Sequence, residues 1–186
     1  MNSTLYEKSK IGKKVADGGD RKVYMYDDYK VIKISSLSFF AGRKLHTKLV
    51  HDYEVCKEYF KDFVVETENV GSSDGYKHIE IQPFIKGEML AKKHMNYPTV
   101  KLQFIEISNS LKQMISDGNP PIDLVGNIGM IYPYLSNIMI DNSNKLRIID
   151  TTLLEGKTIR PLGLILEFFA PLILARQNYL MRKFLR

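Results

Sequence analysis

The stretch NIMIDNSNKLRIIDTT, residues 137–152, contains two short apolar runs separated by a polar turn. This pattern predicts a tight β-hairpin. Asn137 opens the first run and Asp150 ends the second, so antiparallel pairing would bring an amide and a carboxylate together at one end of the hairpin. Oxygen ligands of these two kinds suit Mg²⁺. The alternative is an ordinary hairpin whose strands each end in a polar residue.

The composition is that of a folded protein. The chain has 186 residues, of which 44% are hydrophobic and 26% charged, and these values suit one domain or two small lobes that share a core. The formal net charge is +6, but the Lys and Arg residues are scattered, which favours a solvated surface over a nucleic-acid partner. The single cysteine, Cys56, excludes an internal disulfide and a cysteine-based zinc site. Together with a polar first segment that does not resemble a signal peptide, it predicts a cytoplasmic protein.

Three strands are predicted within residues 11–35, and this region has two features that suit phosphate binding. The first is ADGGD, residues 16–20, where Gly18 and Gly19 would let backbone amides approach a phosphate closely. A plain hairpin turn is the alternative. The second is Lys33 within the apolar run VIKI, because a buried ammonium needs an anion, either a carboxylate or a phosphate. The alternative places Lys33 on an edge strand, facing water.

An amphipathic helix is predicted over residues 45–60, whose apolar positions recur every three or four residues. Glu54 lies beside the apolar face of this helix and is the predicted ion-pair partner of Lys33. Three other acids compete for this role, namely Asp52, Glu58 and Asp62.

Two further strands are predicted at residues 63–70 and 77–84, followed by the connector QPFIKGE, residues 82–88. Pro83 carries no amide donor, and Gly87 permits a sharp bend. The connector therefore suits a junction between two lobes, with free backbone groups that could read the edge of an adenine. A plain exit from the strand fits the same residues.

The second half of the chain is predicted to be largely helical. Residues 99–116 show helical spacing, and this helix should end near Asp117 and Gly118. Asp123 then lies in an irregular loop that leads towards the hairpin. Residues 160–186 predict one or two closing helices.

The closing segment, residues 162–186, has two interpretations. Its most apolar part, residues 162–175, is interrupted by Glu167 and Pro171 and is shorter than a membrane span. Pro171 is expected to break the helix. Packing beneath a second lobe is therefore favoured over attachment to a membrane surface.

In this order, the elements resemble the protein-kinase-like superfamily over roughly residues 10–155. The closest resemblance is to its small divergent bacterial kinases and its aminoglycoside-phosphotransferase-like branch. The resemblance implies an α+β, two-lobed protein-kinase-like fold. Residues 1–84 would form an N-lobe with a five-stranded antiparallel sheet and one helix. Residues 85–186 would form a reduced, mainly helical C-lobe, the two lobes making one kinase-like domain.

The resemblance also implies how a nucleotide would be held. VIKI resembles the strand that carries the phosphate-binding lysine, which implies Lys33, and Glu54 falls where the family has its helix glutamate. The run IEIQPFIKGEML looks like the hinge, which implies nucleotide contacts by Gln82 and Phe84. The glycine turn at residues 16–20 would cover the phosphates of ATP.

The metal site and the catalytic base follow from the hairpin motif. NIMID…KLRIIDTT looks like the metal-binding asparagine, the hairpin and the metal-binding aspartate, which implies that Asn137 and Asp150 bind Mg²⁺. Two departures from the family matter here. Arg21 replaces the third glycine of the glycine-rich loop, and Tyr132 stands where the family has its base, five residues before Asn137. Asp123, 14 residues before Asn137, is therefore the predicted base, with an insertion between it and the hairpin.

The function implied by the resemblance is an ATP-dependent phosphotransferase with ATP and Mg²⁺ as cofactors. It would move the γ-phosphoryl group to a hydroxyl of a protein or a small molecule. The alternative is a nucleotide-binding pseudokinase that acts as a regulator or scaffold. The expected partners are a nucleotide and a phosphate acceptor that the sequence does not identify, and the sequence does not fix the oligomeric state.

Overall fold

The computed structural model describes residues 6–17, 21–35, 38–71, 77–126, 133–156, 159 and 163–186, without the side chains of residues 38–42. Gly18, Gly19 and Tyr132 lie outside the described residues. The phosphate-binding role of the two glycines and the place of Tyr132 in the catalytic loop therefore stay predictions.

A five-stranded antiparallel sheet occupies the N-terminal half of the chain, which confirms the prediction from alternating apolar residues. Its strands lie in the spatial order β1-β2-β3-β5-β4. They are β1 (Lys14–Asp17), β2 (Arg21–Met25), β3 (Lys30–Ser35), β4 (Glu68–Gly71) and β5 (His78–Pro83). Lys33 lies on β3, which pairs with β2 on one side and β5 on the other. The edge-strand alternative for this lysine is therefore wrong.

A second, three-stranded antiparallel sheet contains the hairpin. Its strands, in spatial order, are β6 (Gly87–Ala91), β7 (Tyr134–Asp141) and β8 (Leu146–Ile148). β7 and β8 form the predicted hairpin, but β6 was predicted only as a connector. A Cβ atom on Gly87 would lie 2.0 Å from the carbonyl oxygen of Ile140. Gly87 therefore serves the close approach of two strands, and the predicted sharp bend is not its role.

In the described residues, three α-helices cover the sheets: α1 (Ser38–Phe60), α2 (Pro98–Ser116) and α3 (Gly163–Leu185). α2 ends at Ser116, near the predicted end at Asp117 and Gly118, and Gly118 has a φ of +86°. α3 runs through Pro171 as one helix, so the predicted break is wrong. Pro171 itself faces solvent, while Ala170 and Ile173 beside it are buried. Tertiary packing on both sides of the proline offsets the loss of one backbone hydrogen bond.

A large apolar core joins the three helices to the second sheet. Phe60 of α1, Phe104 of α2, Phe184 of α3 and Ile138 of β7 are at most 1% exposed. The ring centroids of Phe104 and Phe184 lie 5.7 Å apart. A smaller core lies on the first sheet and contains Tyr26, Ile32, Val70, Ile79 and Ile81. Each sheet therefore has its own apolar packing.

α3 has one buried face and one exposed apolar face. Ile173, Leu180 and Phe184 pack into the core, as expected for this segment. On the opposite face, Phe168 is 74% exposed and Leu172 is 57% exposed. Within the described ranges, no helix combines the length and the apolar character needed to cross a membrane.

Replacing Phe184 with alanine should lower the free energy of unfolding by about 3–5 kcal/mol, because the substitution leaves a cavity in the large core. Phe168→Ala, on the exposed face of the same helix, should change it by less than about 0.5 kcal/mol. Urea denaturation of both variants measures the two values. Equal decreases in the free energy of unfolding for Phe184→Ala and Phe168→Ala would contradict the orientation of α3.

Candidate functional site

The Lys33 ammonium is buried between the first sheet and the segment that contains Asp150. Its Nζ donates a hydrogen bond to the carbonyl of Ile149, the residue before Asp150. The Glu80 carboxylate lies 3.9 Å from the same nitrogen, and Glu80 is the residue directly opposite Lys33 on β5. The anion that the buried lysine requires is therefore a carboxylate from the same sheet.

The predicted ion pair between Lys33 and Glu54 is wrong. Glu54 is exposed on α1, and the inward-facing acid of that helix is Asp52, at 2% exposure. Asp52 pairs with Lys48 and accepts a hydrogen bond from the backbone N–H of Leu153 at 3.0 Å. Burial raises the pKa of Asp52, and Lys48 opposes that rise. Helical spacing alone left Asp52 and Glu54 as competitors, and the packing of α1 decides between them.

Glu80 is the centre of a buried ionic network. Both of its oxygens accept from Arg21 Nη1 at 3.1 Å, and Oε1 lies 3.0 Å from His78 Nε2. Burial by itself would raise the pKa of Glu80, but the nearby Arg21, the His78 hydrogen bond and Lys33 hold it below its ordinary value. Glu80 is therefore ionised at neutral pH and fixes the positions of two buried cations.

A pair of histidines extends this network away from the site. His46 Nδ1 and His78 Nδ1 lie 3.0 Å apart, so one ring donates a hydrogen bond through its N–H and the other accepts that hydrogen bond. Burial, reinforced by His78, lowers the pKa of His46 from its ordinary value of 6.5. His46 is therefore neutral at pH 7.

Arg21 connects the first sheet to Asp150. Its Nη1 lies 3.3 Å from Asp150 Oδ1, and its Nη2 donates to the Thr152 hydroxyl at 2.9 Å. Asp150 Oδ1 also accepts from the backbone N–H and the hydroxyl of Thr152, at 3.1 and 2.8 Å. One oxygen of Asp150 is thus fully engaged. Among the described residues, no hydrogen-bond donor reaches the other oxygen, Oδ2.

Asp123 and Asn137 lie side by side. The Asn137 side-chain Nδ2 donates to the Asp123 carbonyl at 2.7 Å. The Asp123 carboxylate Oδ1 accepts from the backbone N–H groups of Val125 and Gly126 at 2.8 and 2.9 Å. The Asp123 N–H donates to the Thr152 carbonyl at 2.9 Å. The structure thus places the predicted base, Asp123, beside the predicted metal ligand Asn137. It also places Asp123 beside Thr152, which lies two residues after the other predicted ligand, Asp150.

The donor set at Asn137 and Asp150 is compatible with Mg²⁺. Because Asn137 Nδ2 is engaged with Asp123, the oxygens that could bind a metal are Asp150 Oδ2 and Asn137 Oδ1, the second of which packs against Gly126. Mg²⁺ is commonly held by one or two protein oxygens, with water and phosphate completing the shell. The described part of the chain contains no group of three or more His, Cys, Asp or Glu that could hold a metal ion.

The predicted hinge residues are engaged within the fold. Gln82 is buried, and its side chain donates to the Thr67 hydroxyl at 2.8 Å. The Phe84 N–H donates to the Tyr29 carbonyl at 2.6 Å. The N–H of Phe84 is therefore not one of the free backbone groups expected of the connector, because it already stabilises the end of the sheet. The nucleotide contacts proposed for both residues stay predictions.

Sequence reasoning did not assign Glu80 or His78 to the site. The signal for Glu80 was present, because it lies inside the apolar run HIEIQ as Lys33 lies inside VIKI. Arg21 was identified only as a departure from a glycine pattern. Its contact with Asp150 depends on how distant segments pack, which local patterns do not encode.

Comparisons with known proteins leave the family of the chain open. No family model matches the chain, and no curated protein matches it. Among solved structures, it is similar to the crystal structure of the PknI kinase domain of Mycobacterium tuberculosis, a point mutant, with 14% sequence identity and a TM-score of 0.48. The match covers 76% of this chain and 57% of that chain, so the chain spans little more than half of the length of that kinase domain.

Glu80→Gln should lower the free energy of unfolding by about 3 kcal/mol at pH 7, because it leaves buried cations without their anion. The pKa of Glu80 is lower in the folded state than in the unfolded state, where it is about 4.3. The stabilisation by Glu80 is therefore complete above that value and is lost as the pH falls below it. The difference in free energy of unfolding between wild type and Glu80→Gln should therefore become smaller from about pH 5 towards pH 3.

Urea denaturation at a series of pH values measures this difference. Glu54→Gln is the matched control, because it removes an exposed carboxylate from α1 and should alter neither the stability nor its pH dependence. The reverse result, a loss for Glu54→Gln and none for Glu80→Gln, would restore the original ion-pair prediction.

Proposed function

We propose that this protein is an ATP-dependent phosphotransferase that transfers the γ-phosphoryl group to a hydroxyl of a protein or a small molecule. The observation that supports this is the convergence of distant residues. Lys33 reaches the carbonyl next to Asp150 across 116 positions, and Asp123 contacts Asn137. An ammonium, a carboxylate and two oxygen ligands in one place suit phosphoryl transfer, in which positioning and charge stabilisation supply most of the catalysis.

Each side chain has a role that its contacts support. The buried Lys33 ammonium would hold the phosphates of the nucleotide, with Glu80 keeping it in place. The Asp123 carboxylate would orient the acceptor hydroxyl and accept its proton. Two backbone N–H groups already fix the direction of that carboxylate. Asn137 and Asp150 would hold Mg²⁺, which, when bound, neutralises charge on the transferred group.

The order of the elements also supports this proposal. A five-stranded sheet with one helix is followed by β6, α2, a loop that carries Asp123 and a hairpin whose first strand contains Asn137 and whose second strand ends two residues before Asp150. Apart from β6, this is the order that suggested the protein-kinase-like fold. The single cysteine, Cys56, is buried, and burial raises the pKa of its thiol, which suits the cytoplasmic location that we propose.

A second candidate function is a nucleotide-binding pseudokinase that acts as a regulator or scaffold. One observation favours it. Arg21 lies against the predicted metal ligand Asp150, where its positive charge opposes binding of the Mg²⁺ that transfer requires. This candidate predicts nucleotide binding without transfer.

Lys33→Met and Asp150→Asn should each reduce phosphoryl transfer by at least about 100-fold, because each removes a group that binds the transferred charge or its metal. Asp123→Asn should reduce transfer to a similar extent while leaving the affinity for ATP nearly unchanged. Autophosphorylation and phosphate release from radiolabelled Mg·ATP measure transfer, and calorimetry measures ATP binding.

Glu54→Gln provides the contrast, because the exposed glutamate lies outside the network and its loss should leave transfer intact. Thermal unfolding of every variant separates lost chemistry from lost folding. Full transfer by Lys33→Met or Asp150→Asn would exclude the roles proposed for these residues, and transfer by wild type no faster than background would exclude the phosphotransferase. The pseudokinase would be supported if wild type binds ATP but transfers phosphate only at the background rate. Asp123→Asn should then leave that rate unchanged.

A further inference from the structure

Arg21 touches the predicted metal ligand directly. It is 5% exposed, begins β2 and reaches out of its own sheet to Asp150. The same guanidinium binds Glu80 through both carboxylate oxygens and the Thr152 hydroxyl through Nη2. A fixed positive charge is therefore already present at the carboxylate that would bind a divalent cation.

The two carboxylates hold Arg21 differently. Its Nη1 lies 3.1 Å from each oxygen of Glu80 but 3.3 Å from Asp150 Oδ1. If the guanidinium moved away from Asp150, it would keep its contacts with Glu80 and would not become a buried unpaired charge. Moving Arg21 away from Asp150 therefore costs less electrostatic energy than moving it away from Glu80.

We propose that Arg21 is a positioning residue that neutralises Asp150 until a metal ion binds, and that a divalent cation binds tightly there only when Arg21 withdraws from Asp150 while keeping its contacts with Glu80. This inference rests on the proposed function, because it takes Asp150 to be the metal ligand. It names how that site is controlled. Arg21 neutralises Asp150 before an ion binds, and the ion must compete with this built-in cation.

Removing Arg21 and removing Glu80 should have opposite effects on metal affinity. Arg21→Gln removes a positive charge that lies 3.3 Å from Asp150 Oδ1 and should tighten binding of Mn²⁺ by about tenfold. Glu80→Gln removes the carboxylate that would retain Arg21 after it leaves Asp150, so Arg21 stays on Asp150 and binding should weaken by several fold. A purely structural role would destabilise both variants without moving the two affinities in opposite directions.

These affinities are measured by titrating the full chain with Mn²⁺ alone and recording the electron paramagnetic resonance signal of the ion that remains free. Lys33→Met is the matched control for charge, because it removes a buried cation whose described contacts are with Ile149 and Glu80. Arg21→Gln should therefore tighten binding more than Lys33→Met does. Equal tightening by the two variants, or none by Arg21→Gln, would overturn the inference.

Two further variants complete the test. Arg21→Lys keeps a charge but lacks the second nitrogen, Nη2, which holds the guanidinium on the Thr152 hydroxyl beside Asp150. It should therefore also tighten Mn²⁺ binding, and it replaces Arg21→Gln if that variant does not fold. Asp150→Asn should abolish the tight site in every background. If Asp150→Asn binds Mn²⁺ as wild type does, Asp150 is no ligand and the proposed function fails with the inference. If Asp150→Asn loses binding but Arg21→Gln does not tighten it, only the inference fails.

Discussion

Glu80 places a negative charge between two cations that the fold could not otherwise bury. Arg21 and Lys33 are 5% and 7% exposed, and an ammonium or guanidinium at such depth persists only beside an anion. The antiparallel register of β3 and β5 sets Glu80 opposite Lys33, and β2 carries Arg21 to the same carboxylate. The two cations that reach from the first sheet to the segment after the hairpin are thus organised by one residue on β5.

The segment at residues 149–153 receives these side chains although little of it belongs to a helix or strand. Lys33 donates to the carbonyl of Ile149. Cys56 Sγ lies 3.6 Å from the carbonyl of Thr151. Lys48 donates to the carbonyl of Leu153 at 3.1 Å. Donors from β3 and α1 thereby satisfy backbone groups that no ladder partner reaches. Asp150 is held in place because the main chain on both sides of it is fixed from outside.

Local patterns in the sequence predicted the elements, and they failed where distant packing decides. Alternating apolar residues identified the strands of the first sheet, and a charge within such a strand identified Lys33. The partner of Lys33 could not be found in the same way, because strand register selects Glu80 while helical spacing had suggested Glu54. Gly87 and Pro171 were both assigned as breaks, since each disfavours regular structure in isolation. Close strand contact and burial on either side overcome those local preferences.

Gly126 has a φ of +64°, and a Cβ atom there would lie 2.4 Å from Asn137 Oδ1. The loop that follows Asp123 and the first strand of the hairpin therefore occupy one shared space, and the missing side chain of one makes room for the amide of the other. Any other residue at position 126 would therefore set a methyl or methylene group against the Asn137 amide, so the two positions can change only together.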